Sequence, residues 1–471
     1  MPATDLLTKE DVFHLLRRAA FGPTKKDLSK FEGKSRASAV DQLLPSKGRK
    51  KSPPRRKDDN RDELRVIQKW WLKQMQSKKW RAAEKLTLFW HDHFPSSFDV
   101  VRDLEALGAQ NGTFRTHCLG NFRDMVFDIT RDAAMLDYLD GFRNQKDSPN
   151  ENYGREVMEL FGLGVTDLAG NDNYTQEDVV QMARCCTGFV AETKQKKNRT
   201  VFTGNTLIEP SRFDDGSKTL FAGTGHEAVG NIGVENADGL PFPPNLNAID
   251  ILFTHRDTDG RPTAARFIAK KLWEWYAYPD PSTALIDELA DIFVAANYEI
   301  RPLVYAILTH DEFYSATSRE STAKSPVDFT LQGIAALEAK TKLDELPDFV
   351  RFMGMDLFNP PSVNGWNHSS AWLSTSRFLE RFEFAQELAA GRDKKIFKVT
   401  PKKLLDPNAL GTGAMVDGLL DRMGVTVPDA TRQALIDYLD GGNSLEDEEW
   451  LETKFRGVFV LLLTLPEYQV H

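Results

Sequence analysis

Apolar residues recur at three- and four-residue spacing along most of the chain, the period of helices with one buried face. In LTKEDVFHLLRRAAFG, residues 7–22, Thr8 followed by Asp11 is a helix-start signature, and Gly22-Pro23 is a stop. The same period predicts helices in DELRVIQKWWLKQMQS (62–77) and RAAEKLTLFWHDHF (81–94), and two more within residues 114–141. From about Val190 to Thr258 the texture changes: Gly, Asn, Asp, Thr and Pro become frequent and apolar positions scatter. That pattern predicts loops with a few short strands. Helical spacing returns at 263–281, 281–298 and 299–315, and again after the loop LFNPPSVNGWNHSSAW, residues 357–372.

The expectation is a mainly α protein, a large helical bundle or α/α-type array with an irregular, partly β insertion in the middle. It divides into an N-terminal helical segment (1–44), a basic linker (45–62), a helical core (63–190), a loop-rich or β insertion (191–260), a continuation of the core (261–390) and a C-terminal helical segment (391–471).

Composition narrows the partners. A net charge of −9 over 471 residues supplies no global positive field for nucleic acid. The one basic run, PSKGRKKSPPRRKDDNRD, reads as a solvated linker. The longest apolar run, FRGVFVLLLTLP, falls short of the roughly 18–20 residues of a membrane helix. Three cysteines give no disulfide framework, and Cys185-Cys186 reads as a packed part of a helix. The N-terminus lacks a secretory apolar region, so the chain as given is expected in the cytoplasm, or outside it if a signal peptide was removed.

The stretch SPNENYGREVMELFGLG, residues 148–164, concentrates the candidate chemistry. Ser148, Pro149 and Glu151 form a helix-start pattern, with Gly162 or Gly164 as the stop. At about 100° per residue, Glu151, Asn152, Arg155, Glu156 and Glu159 share an arc of roughly 140°. On a surface these residues are a wet face braced by Arg155 and Glu159. In a cleft they are clustered carboxylates, one held ionised by Arg155 and another raised by its neighbours' charge, as general acid catalysis requires.

The loop TDLAGNDNYT reads as a polar turn; its oxygens lack EF-hand spacing. His91-Asp92-His93 is a histidine pair of metal-ligand type. On a helix the two rings diverge, whereas in an extended segment they share a side, and Pro95 is expected to fray the helix near Trp90–Phe94. His226 and Glu227 lie in a glycine-rich loop. Asn364, Trp366, Asn367, His368 and Trp372 lie in a loop whose tryptophans could stack on sugars or pin the loop. No G-x-S-x-G elbow, Walker loop, Rossmann fingerprint or H-E-x-x-H is present.

Taken in order, LLRRAAFGPT, KLTLFWHDHF, NFRDMVFDITRDAAMLDYLDG, PNENYGREVMELFGLGV, YTQEDVVQMARCCTGF, DDGSKTLF, AARFIAKKLWEWY, NPPSVNGW and LLLTLPEYQV resemble the bacterial domain of unknown function 1800 family over nearly the whole chain. The resemblance implies one integrated domain and brings no settled activity. It also implies export for many members, a sulfatase-like companion protein and an association with glycans. Members usually carry histidine just before DDG; Phe213 stands there in this chain.

Three functions compete. The leading one is a carbohydrate-active, glycosidase-type hydrolase acting on a glycan. Glu156 or Glu159 would be the acid, with Glu151, Asp99 or Asp103 as base or nucleophile. Asn150, Asn152, Arg155, Trp90, Asn364 and Trp366 would bind substrate. It requires no cofactor, and a carboxylate separation of roughly 5 Å or 6.5–9.5 Å would set retention or inversion. The second is a hydrolase or oxidoreductase with a divalent metal on His91 and His93. The third is a non-catalytic scaffold or binding protein built on an internal polar network.

Overall fold

The structure, a computed structural model, describes residues 5–56, 58–196, 199–234, 247–391, 396–404, 411–440 and 450–471. Helices dominate these residues, joined in the middle by two small antiparallel sheets. The fold is mainly α, with a small, partly β insertion. The strands Phe189–Lys196 and Arg199–Ile208 pair with Phe189 opposite Ile208 and slip register between Ala191 and Thr193; Lys218–Leu220 pairs with Ala228–Gly230.

Helix starts follow the local chemistry. Thr8 and Asp11 close a reciprocal capping box before Lys9–Arg18, as Thr175 and Asp178 do before Gln176–Cys185. Two large apolar clusters fill the interior. One draws on residues from Leu7 to Tyr314; the other joins Phe21, Leu64–Leu107 and Ala133–Ala134 to residues from Val327 to Tyr468. The helix Arg81–His93 contributes to both, since Leu86, Phe89 and Trp90 enter the first and Leu88 the second.

The basic run is mostly exposed but not wholly a solvated linker. Arg49 reaches the fully buried carboxylate of Glu84 at 2.9 Å, and Gly48 lies so close to the Arg115 and Thr116 carbonyls that a Cβ would meet them at 2.3 and 2.2 Å. Cys118, Cys185 and Cys186 are buried free thiols. No described helix is long and apolar enough to cross a membrane.

Candidate active site

The polar helix begins two residues later than the Ser148 pattern predicts. Asn150 is its N-cap, accepting from the Asn152 N–H at 2.9 Å, and the helix Glu151–Glu156 widens into a π-helical stretch, Val157–Gly162. Gly154 seats it against the Gln176–Cys185 helix, where a Cβ would lie 2.9 Å from the Ala183 nitrogen and 3.1 Å from the Val179 carbonyl. The polar face is half-exposed and internally satisfied. Arg155 pairs with Glu151 at 3.2 Å, Gln176 bridges both residues at 2.8 Å, and the Tyr174 hydroxyl donates to Glu159 at 2.9 Å. Burial first and Glu159 second push the Glu156 carboxyl up to about 6.

Asp99 and Asp103 do not join this cluster. Asp99 takes hydrogen bonds from Arg61 at 2.6 Å and Asn359 at 3.0 Å, while Asp103 caps the helix Leu104–His117 through the Glu105 and Ala106 N–H groups. Tyr174 and Gln176 also line a groove of about 690 Å³ together with His226, His255 and Asp257. There His226 Nε2 meets His255 Nδ1 at 3.0 Å, and Glu227 accepts from the Gly225 N–H at 3.1 Å. Asp167 binds its own turn through the Ala169 and Asn171 N–H groups and the Thr258 hydroxyl, which makes the loop a polar turn.

The histidine pair does not converge. The helix runs through His93, because Pro95 restricts only the residue before it, and Phe94 alone leaves helical geometry. Two residues apart on a helix point about 200° away from each other. His91 is buried among Trp71, Phe114, Phe358 and Trp366, and His93 among Phe89, Trp90, Phe94 and Phe122 with Nε2 3.0 Å from the Phe161 carbonyl. Burial lowers the pKa of His91 to about 4 and that of His93 well below its ordinary range. Among the described residues no group of three or more His, Cys, Asp or Glu side chains could hold a metal ion. The expectation of a metal on His91 and His93 is therefore corrected: the two rings enter opposite parts of the core.

The tryptophan expectations change for the same reason. Trp90 is fully buried and donates to the Cys118 carbonyl at 3.3 Å, and Trp366 is 2% exposed against His91, so neither presents a face to a sugar. Asn364 and Asn367 are exposed on the loop surface.

Between the two divergent histidines, Asp92 faces a third direction. Lys85, Phe89 and Asp92 stand four and three residues apart, so they share one face of the Arg81–His93 helix, and all three line a cavity of about 340 Å³. The facing wall is the helix Thr263–Tyr276, whose Lys271, Glu274 and Trp275 likewise fall on one side; His368 and Trp372 close the cavity from the 357–372 loop. His368 Nε2 donates to Asp92 Oδ2 at 2.8 Å, and the Trp366 N–H to Oδ1 at 2.8 Å. Gly365 makes this approach possible. Its φ is +79°, and a Cβ there would stand 2.3 Å from Asp92 Oδ1.

Electrostatics set the members of this cavity apart. Burial works against charging His368, but the Asp92 carboxylate outweighs it and lifts the pKa above the ordinary value. Burial brings Lys271 down to about 8 against the opposing pull of Asp92 and Glu274, and pushes the Glu274 carboxyl up against Lys270. Lys85 is locked, with both oxygens of Asp328 at 2.6 Å and both side chains 3% exposed. The Trp275 and Trp372 indole N–H groups are buried without partners among the described residues. Two carboxylates, a histidine, an amine and two indoles thus line one half-open cavity, an arrangement of the kind a general acid–base centre uses.

Of these groups the sequence reading singled out His368 and Trp372; Lys85, Asp92, Lys271, Glu274 and Trp275 were not among its site residues. Buried charges at helical spacing inside an otherwise apolar segment, Glu84, Lys85 and Asp92, are the signal that could have found the wall.

Two predictions follow from the loop contact. Gly365→Ala is expected to lower stability by about 1–3 kcal/mol and to return the His368 pKa toward its ordinary value, read by NMR titration of the imidazole. A raised folded-state pKa means that the Asp92–His368 pair stabilises fully below the unfolded value of about 6.5 and loses its contribution as pH rises through the folded value. Asp92→Asn should erase that segment of the stability–pH curve, measured by urea unfolding between pH 5 and 9; a curve unchanged in Asp92→Asn would contradict the pairing.

No curated protein and no solved structure matches this chain. A family model described as a protein of unknown function (DUF1800) matches residues 14–470. With nearly its whole length covered, the chain belongs to the DUF1800 family.

Proposed function

We propose that this protein is a carbohydrate-active enzyme, a glycosidase-type hydrolase whose centre is the cavity between the Arg81–His93 and Thr263–Tyr276 helices. One observation carries the reading: two carboxylates in different environments, Asp92 ion-paired with His368 and Glu274 raised by burial, share one cavity with Trp275 and Trp372. Glu274, holding its proton further up the pH scale, acts as the general acid on the leaving oxygen. Asp92, oriented by His368 and the Trp366 N–H, acts as base or nucleophile. Trp275, partly exposed in the cavity wall, offers an apolar face for a sugar ring. The sulfatase-like companion implied by the family resemblance fits the same substrate class.

A second reading keeps the acid on the polar helix, and the value of about 6 at Glu156 favours it. Release of reducing ends from a panel of neutral and acidic polysaccharides separates the two. Glu274→Gln is expected to lower turnover by about 10²–10⁴-fold, with Glu156→Gln near wild type. The reverse order would move the centre to the polar helix, and loss in neither variant would remove both acids from the mechanism.

A further inference from the structure

Lys271 is a titratable group in the cavity wall whose chemistry the hydrolase reading leaves unused. It lines the cavity shared with Asp92 and Glu274, yet among the described residues it makes no ion pair within 4.0 Å. Its single hydrogen bond is to the Leu160 carbonyl at a long 3.3 Å, and its ammonium lies 5.1 Å from the centre of the Phe267 ring. Lys85, by contrast, is held by two short contacts to Asp328 and has no freedom to react.

We infer that Lys271 is a nucleophilic amine that captures the carbonyl carbon of an aldehyde or ketone inside this cavity, with the Asp92–His368 pair as its proton shuttle. The lowering of Lys271 to about 8 supports this, because about a tenth of the amine is then unprotonated at neutral pH, far more than for an ordinary lysine. The Lys271 nitrogen forms a bond to the carbonyl carbon as the C=O π bond opens onto oxygen, and the proton that the nitrogen loses passes to that oxygen, giving a carbinolamine. Protonated His368 supplies a second proton to that oxygen, the C–O bond breaks, and water leaves behind a protonated imine. No oxidant or reductant is consumed. The open-chain aldehyde at the reducing end of a sugar belongs to this carbonyl class. The inference goes beyond the hydrolase reading and does not depend on it.

The test treats the full-length protein with glyoxylate and sodium cyanoborohydride, which reduces an imine to a stable secondary amine. Intact mass and peptide mapping then locate the adduct. The expected result is one predominant adduct on Lys271, absent in Lys271→Arg and unchanged in Lys270→Arg, the adjacent exposed-side control. Asp92→Asn should slow capture at least severalfold without moving it to another lysine. Adducts spread over surface lysines, or an unlabelled Lys271 peptide in folded wild-type protein, would overturn the inference. Neither outcome depends on glycan cleavage, so failure here and failure of the hydrolase reading are distinguishable.

Discussion

Replacing Glu84 with alanine is expected to destabilise the protein by about 3–5 kcal/mol, the usual consequence of removing one partner from a buried ion pair. Glu84 is fully buried and accepts from Arg115 Nε at 2.8 Å and Nη2 at 2.9 Å, from Arg49 at 2.9 Å and from the Trp71 indole at 3.0 Å. Its loss strands the equally buried Arg115 guanidinium and an indole N–H, and frees the basic run that Arg49 ties down. Glu84→Gln keeps the shape and part of the hydrogen bonding, so its cost should be smaller. Urea unfolding of wild type and both variants measures the difference. A change below about 1 kcal/mol for Glu84→Ala would place the network in water, where exposed pairs contribute that little.

The second large effect is catalytic. Asp92→Asn is expected to reduce turnover by about 10²–10⁴-fold while the helix and its apolar contacts persist. Asparagine is nearly the same size and can still accept the Trp366 N–H through its amide oxygen, but it cannot serve as base or nucleophile or hold His368 charged. A steady-state assay on a polysaccharide cleaved by wild type, with the unfolding midpoint as control, gives the comparison. A variant that folds normally and turns over at the wild-type rate would remove Asp92 from the chemistry.

Much of the architecture was legible in local sequence. Thr8 caps where its side chain predicts, and the apolar spacing of the helices and the loose texture after Val190 both appear in the fold. These features depend on neighbours within a few residues. The polar face of the 148–164 helix was also legible, because helical geometry alone puts its residues together.

What proved illegible depends on long-range contact. The histidines at 91 and 93 attract attention by residue type, whereas helical geometry sends both into the core and leaves the aspartate between them facing the cavity. Lys271 shares a cavity wall with His368 and Trp372, about 100 residues further along, only in the folded chain. Asp92 meets His368 only because distant parts of the chain fold together, with Gly365 removing the side chain that would keep them apart. Likewise tryptophan composition says nothing about which indole is consumed by packing. Trp90, Trp366 and, for most of its surface, Trp372 are, whereas Trp275 stays partly exposed in the cavity wall.

Substrate binding in this cavity, rather than along the polar helix, is what the proposed function requires. Its most direct test is a crystal structure of Glu274→Gln with an oligosaccharide that the wild-type protein cleaves. Sugar density is expected against Trp275, with the scissile oxygen beside residue 274 and Asp92 at the reacting carbon. Sugar seated instead along Tyr174, Gln176 and Glu156, with the cavity unoccupied, would contradict it.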